Sequence, residues 1–210
     1  MARRWLATLL LALSAGPLPL LAQTAPAPAA SIVLIAHPVL TDGNFARTVV
    51  LVTRTPLGET IGVILNRRIP ADPGVAVQPP GAKVRDVYFG GPLAPRGLMA
   101  LGVAPAEALP PQGAIEVLPA VYLVVGATRV RDFVDASEAG RIKVFAGYAG
   151  WAPGQLENEI ASGAWQVLPA EKAQLFDEAP ESLWERLGAR LRAVRDEHGG
   201  SSIAAPVRHH

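Results

Sequence analysis

Ser31, His37 and Asp42 supply the hydroxyl, imidazole and carboxylate that nucleophilic catalysis combines. Their setting argues against that use. No serine sits in a Gly-x-Ser-x-Gly elbow, cysteine is absent, and His37-Pro38 reads as the end of a strand with its ring in solvent. Metal chemistry has no better footing. Zinc takes three or four His, Cys or carboxylate ligands, and no spaced His pair lies inside the chain, only His209-His210 at its end. Among the carboxylates, Asp132 and Asp135 share one helical face and read as solvated surface. Glu157 and Glu159 are two apart on a helix, on nearly opposite sides, and cannot form a catalytic dyad. No cofactor and no metal are expected.

The polar constellation with most scope centres on Arg47. It immediately precedes an apolar β-branched run, so its head should lie at the rim of a sheet, where an Arg fork grips a carboxylate. The structural reading pairs Arg47 with Glu157 or Asp42, fastening the first hairpin to the segment Gly147–Ile160. The ligand reading has Asn44, Arg47, Asn66 and Gln155 converge with the Gly90-Gly91 amides on a small anionic or polar ligand. Gly90-Gly91-Pro92 lacks the lysine and the length of a phosphate-binding loop, which disfavours a nucleotide.

These residues need elements to hold them. Gly147 to Ile160 combines three glycines, Tyr148, Trp151, Pro153, Gln155 and Glu157, and reads as a strand–turn–helix corner. Pro153 fits its first helical turn, and Leu156 and Ile160 share the docking face. Tyr148, Trp151 and Gln155 are the residues of this corner suited to outside contact. Ser31–Ala36, Thr48–Thr53 and Thr60–Asn66 read as strands, the last two as a hairpin across Thr55-Pro56-Leu57-Gly58. Val87–Phe89, Gly97–Gly102, Tyr122–Ala127, Ile142–Ala146 and Ala164–Leu168 are further strands. Arg67–Lys83, with four prolines, is a long loop. Val130, Phe133 and Val134 mark a helix over 129–139. Leu183, Trp184, Leu187, Leu191 and Val194 stripe a second over 180–197. Strands early and helices late predict an α+β fold, mostly antiparallel.

The 210 residues are half apolar, enough for one domain with a sizeable core. Arg3-Arg4, the apolar run Leu6–Leu21 and the small residue before Gln23 read as a signal peptide over 1–22. An Ala/Pro linker follows over 23–30, a single domain over 31–198, and a tail over 199–210. This organisation makes the product periplasmic or secreted, with no stable membrane anchor. Without the two arginines of residues 1–22, 17 basic face 18 acidic residues, a net of −1. That excludes a broad basic nucleic-acid surface. The arginines 186, 190, 192 and 195 are interleaved with acids and read as a salt-bridged face.

Taken together, Asp42-Gly43-Asn44-Phe45-Ala46-Arg47-Thr48-Val49-Val50, Gly62–Arg67, Phe89-Gly90-Gly91-Pro92, Gly147–Glu159, Gly163-Ala164-Trp165 and Leu183–Gly188 resemble the signatures of the YqgE/AlgH family, over roughly residues 31–192. The resemblance implies a bifurcated sheet curled into a pseudo-barrel and flanked by helices. It implies no reaction or cofactor. Some members are called transcriptional regulators, and members are generally cytoplasmic, whereas this chain carries an export signal. Met99–Gly102 replaces a stretch that often carries a His, and His37 stands where the family has an apolar or small residue. The resulting expectation is a non-enzymatic, exported domain binding a small ligand or protein partner. The alternatives are a hydrolase or transferase with a polar site around Arg47, Asn66 and Gln155, and a cytoplasmic regulator.

Overall fold

The computed structural model describes residues 31–69, 84, 86–104, 111, 113–137 and 141–199. The expected signal peptide, linker and most of the 67–83 loop lie outside them. The first three strands are β1 (Ile32–Ala36), β2 (Val49–Arg54) and β3 (Thr60–Ile64). All are antiparallel neighbours, with Leu34 opposite Val50 and Thr53 opposite Ile61. β1 and β2 are apolar without interruption because both faces are covered. Val33, Ile35, Val49 and Leu51 point into one core, Leu34, Ala36, Val50 and Val52 into another.

The remaining strands are β4 (Arg68–Ile69), β5 (Val87–Phe89), β6 (Leu93–Val103), β7 (Ile115–Leu118), β8 (Val121–Val125), β9 (Ile142–Trp151) and β10 (Trp165–Pro169). They join in the order β10-β1-β2-β3-β9-β6-β8-β7. β9 is where the sheet divides. Its first half pairs with β6 on one edge and, in parallel, with β5 on the other. Its second half exchanges β5 for β3, with Gly62 opposite Ala149 and Thr60 opposite Trp151. β5 in turn carries β4. The result is a curled, mostly antiparallel half-barrel with flanking helices, an α+β fold as the resemblance implies.

The division is possible because glycines meet at it. Gly90 donates its N–H to the Ala146 carbonyl and accepts from the Ile64 N–H, bridging the middle of β9 and the end of β3. A Cβ on Gly90 would collide with the Gly147 carbonyl, and one on Gly147 with the Gly91 carbonyl. Gly147 itself sits at φ 74°, open to glycine at little cost. Gly147 and Gly150 therefore belong to a continuous strand, not to the expected turn. The turn comes later, at Ala152–Gly154, and helix α2 begins at Gln155 after a left-handed Gly154, so Pro153 precedes it.

Helix α1 (Ala127–Ala136) buries Val130, Phe133 and Val134 against Ala100, Val124 and Val144. The opposite face is closed by α3 (Lys172–Leu175), a 3-10 turn (Pro180–Ser182) and α4 (Leu183–Gly199), through Leu175, Leu183 and Leu187. α2 (Gln155–Ala161) docks Leu156 on the third cluster, beside Trp151 and Trp165, with Ile160 packed against it. The stripe of α4 fades along its length, and Val194 is 47% exposed. β4, β7 and α3 are too short for periodicity to reveal. β6 extends four residues before the expected start because Leu93 pairs with Tyr148 across an irregular register.

Gly90→Ala is expected to lose roughly 3 kcal/mol or more of unfolding free energy, since backbone has to move to admit one methyl. Gly43→Ala, where a Cβ meets nothing within 4 Å, should stay within about 0.5 kcal/mol of the parent. Urea unfolding of the two variants measures the difference, and equal stabilities would contradict the packing at the sheet division.

Candidate functional site

The loop between β1 and β2 is built from its own sequence. The Asp42 carboxylate accepts the N–H groups of Asn44 (2.9 Å) and Phe45 (3.2 Å). That is the local bond by which Asp starts turns. The Thr48 hydroxyl donates to the Phe45 carbonyl at 2.7 Å. Arg67 then reaches under the loop and donates to the carbonyls of Gly43, Asn44 and Ala46. Asn66 accepts from the Val49 N–H (2.8 Å) and donates to the Arg47 carbonyl (3.0 Å). So clamped, the loop holds Arg47 at φ 58° and turns Phe45 inward.

Phe45 lies edge-on to Trp165 at 5.8 Å and tilted against Trp151 at 6.5 Å. Behind these rings one carboxylate gathers their polar edges. Glu159 Oε2 accepts the indole N–H of Trp151 (2.9 Å) and of Trp165 (2.8 Å). Its Oε1 accepts from the Gln155 amide at 2.9 Å, and the Gln155 oxygen accepts the Ala152 N–H. Burial opposes the charge on Glu159. The bonds from Trp165, Gln155 and Trp151 outweigh it and hold the carboxyl below its ordinary pKa. Glu159 is thus the tie between β9, α2 and β10. Sequence reasoning, which considered it only as half of a dyad, missed that role. Two tryptophans at offsets of six and eight residues from one glutamate were the available signal.

Arg47 does not pair with Asp42 or Glu157. Its guanidinium forms an ion pair with Glu185 at the start of α4 and stacks 4.7 Å from the Trp184 ring centroid. Trp184 in turn donates its indole N–H to the Ala36 carbonyl at 2.8 Å. The left-handed backbone at Arg47 sends its side chain towards α4, away from α2. Glu157 pairs instead with Arg54, 3.5 Å away.

The nine candidate residues fall into separate places. Tyr148, Trp151 and Glu157 line one cleft of about 620 Å³, between the β2–β3 turn, the start of β6 and the end of β9. Gln155 faces Glu159 outside this cleft, over a shallower depression. Asn44, Arg47 and Asn66 remain with the loop, and none of the three lines the cleft. Gly90 and Gly91 are packed against Gly147 and Tyr148, and the Gly90 amide is already bonded to the Ala146 carbonyl. The triad fails on distance. Ser31, bonded to Thr53, precedes β1, and His37 follows it, roughly 20 Å along an extended chain. Asp132 and Asp135 are exposed on α1. No metal-binding group of three or more His, Cys, Asp or Glu occurs among the described residues.

Three cleft residues escaped the sequence reading. Leu57, at the tip of the β2–β3 turn, is 87% exposed, and Leu93 is 44% exposed. Arg54 lines the cleft beside its ion-pair partner Glu157. An apolar side chain at the apex of Thr55-Pro56-Leu57-Gly58 was the visible hint.

A family profile described as AlgH-like (DUF179) matches residues 33–194. A UPF0301 protein of Streptomyces coelicolor is 36% identical over 169 residues, spanning 76% of this chain and 84% of its own length. One from Anaeromyxobacter dehalogenans is 35% identical over 182 residues, spanning 80% and 91%. Among solved structures, a crystal structure of a Corynebacterium diphtheriae protein superposes with a TM-score of 0.62 at 27% identity, over 78% of this chain and 87% of that one. The solution structure of the AlgH protein from Pseudomonas aeruginosa gives 0.58 at 27% identity, over 88% and 99%.

Acid titration tests the glutamate tie. Because the folded carboxyl titrates below its free value of 4.5, its contribution is present above that pH and lost as pH falls through the folded value. Glu159→Gln is expected to flatten the stability loss below about pH 4.5. Glu159→Ala, which strands two buried indole N–H groups, should cost roughly 2–4 kcal/mol at pH 7. Chemical unfolding as a function of pH provides both readings.

Proposed function

The chain belongs to the AlgH-like family, and from that premise we propose that it is a non-enzymatic binding domain whose contact site is the cleft at the end of β9. The observation that carries this reading is the pair of exposed leucines. Leu57 and Leu93 both border the cleft with Tyr148 and Trp151, and neither is needed to fill a core. Exposed apolar side chains gathered at one concave place mark contact with something else. Tyr148 adds an aromatic body with a polar tip, and the Arg54–Glu157 pair adds a polar end that can fix orientation. A small amphipathic ligand or an apolar side chain of a protein partner would satisfy both.

The enzyme reading around Arg47 has less support. Arg47 is engaged by Glu185 and Trp184, Asn66 by backbone, and Gln155 by Glu159. A DNA-bound regulator needs a concentrated basic face, and the balance of −1 beyond residue 22 gives it little basis. We further infer export, from Arg3-Arg4, the apolar run Leu6–Leu21 and the small residue before Gln23. No helix among the described residues is long and apolar enough to cross a membrane.

A thermal-shift screen of a metabolite library, followed by amide chemical-shift mapping of any hit, tests the cleft. Perturbations should cluster at Leu57, Leu93, Tyr148 and Glu157, and Leu57→Ser with Tyr148→Ala should weaken binding at least about tenfold. Perturbations centred on Arg47 instead would transfer the site to the loop and overturn the cleft reading. Fractionation of the native protein tests export. Cleavage before Gln23 and recovery outside the cytoplasm are expected, and an uncleaved cytoplasmic protein would refute it.

A further inference from the structure

The chain uses three lysines, Lys83, Lys143 and Lys172, against sixteen arginines. Lys143 lies on β9 opposite Leu101 of β6, on the same face as Phe145. It is only 7% exposed, and its ammonium nitrogen has no hydrogen-bond partner. That nitrogen stands 4.9 Å from the Tyr88 ring centroid, and Tyr88 packs 5.8 Å from Phe145. A cluster of charges surrounds the pair. Arg68 Nε donates to the Tyr88 hydroxyl at 3.3 Å and pairs with Glu181 (3.0 Å) and Asp86 (3.6 Å). From the segment before α4, Asp177 pairs with Arg186 at 2.6 Å.

A protonated lysine presents three N–H donors and needs acceptors for them. Lys143 has none. Burial lowers its pKa to about 8, with Arg68 pressing the same way and Asp177 and Glu181 opposing. An amine that is desolvated and next to another cation is the form in which lysine acts as a nucleophile. The charge balance then selects the product. Asp86, Asp177 and Glu181 face Arg68 and Arg186, so a positive nitrogen at Lys143 completes the cluster. A carbamate or acyl group would remove that charge. A protonated imine keeps it and leaves one donor where the ammonium leaves three.

We propose that Lys143 is an imine-forming amine that captures small uncharged aldehydes. The nitrogen lone pair attacks the carbonyl carbon, and a nitrogen-bound proton passes to the oxygen. The proton that the ammonium gave to solvent on freeing its lone pair returns to that oxygen, which leaves as water as the C=N bond forms. The nitrogen keeps one hydrogen and the positive charge, and nothing is oxidised or reduced. Entry requires Tyr88 and the two-residue strand β4 to part from the segment before α4. One tie across that seam is the Arg68–Glu181 bridge, whose side chains are 39% and 60% exposed; the packing of Tyr88 in the core with Leu175 and Leu183 is the other. Exposed pairs of this kind contribute little to stability, because water screens them.

The test treats the full-length protein with propionaldehyde and borohydride and maps the propylated lysines by peptide mass. Lys143 should be labelled roughly tenfold faster than exposed Lys172 at pH 8, with a rate that levels off above that pH. Arg68→Gln removes the neighbouring cation and should move the midpoint to higher pH. Lys143→Met, an apolar replacement of similar length, should fold and show no fast site. Labelling of Lys172 with Lys143 untouched until urea is added would overturn the proposal, as would equal rates at both positions with no midpoint near pH 8. The mapping of the parent protein decides this even if a variant fails to fold.

Discussion

Everything in this fold passes through a contact between backbones. Gly90 and Gly91 leave β5 against Gly147 and Tyr148 of β9, closer than any side chain permits. At that point β9 gives up one neighbour and takes another. The same strand therefore supplies Phe145 to one core, Val144 and Ala146 to a second, and Ala149 and Trp151 to a third. Substituting a larger residue would separate the strands and disturb all three together, because interiors are close-packed and transmit strain. The bond from the Ile64 N–H to the Gly90 carbonyl shows how little room is left for adjustment.

The second fixed point is chemical. Two indoles are large apolar bodies with one polar edge each, and burying them is favourable only if that edge is satisfied. Glu159 satisfies both with a single oxygen and holds Gln155 with the other. A charged acceptor forms stronger bonds than a neutral one, which is why the carboxyl stays ionised despite partial burial. With the tryptophans fixed, Phe45 has a defined seat, and the loop that carries it has a defined course. Arg67 and Asn66 then bond the loop's carbonyls, and Arg47 is delivered to Glu185 and Trp184.

How much of this could be read beforehand depends on the range of the interaction. The β2–β3 hairpin and the helices α1 and α4 follow from local residue patterns, and the structure has them. The Leu156–Ile160 face and the separation of Glu157 from Glu159 follow from helical geometry and also hold. What escaped is long-range. Arg47 meets Glu185 at a sequence separation of 138, and Trp184 meets Ala36 at 148, distances no spacing rule addresses. The glycines of β9 read as a turn from sequence for a related reason. Glycine density signals close approach as well as bending, and only the position of Gly90 and Gly91 decides which.

The division of labour bears on where function should be sought. Residues prominent in the sequence by type, such as Asp42, Asn66, Arg67, Trp165 and Glu159, are all bonded to other parts of the same chain. A polar group already satisfied internally has to break that bond before it serves a ligand, at a cost of about 1–3 kcal/mol for a buried one. Groups without such obligations are cheaper to recruit. Leu57 and Leu93 present surface that no core requires, and Lys143 carries a nitrogen with no bond to lose. The cleft and the buried amine lie on opposite sides of the glycine division, on the last and first halves of the same strand. A strand held this tightly by backbone contact gives both places a rigid wall, and rigidity on one side lets motion be confined to the other, at the β2–β3 turn and at the short strand β4.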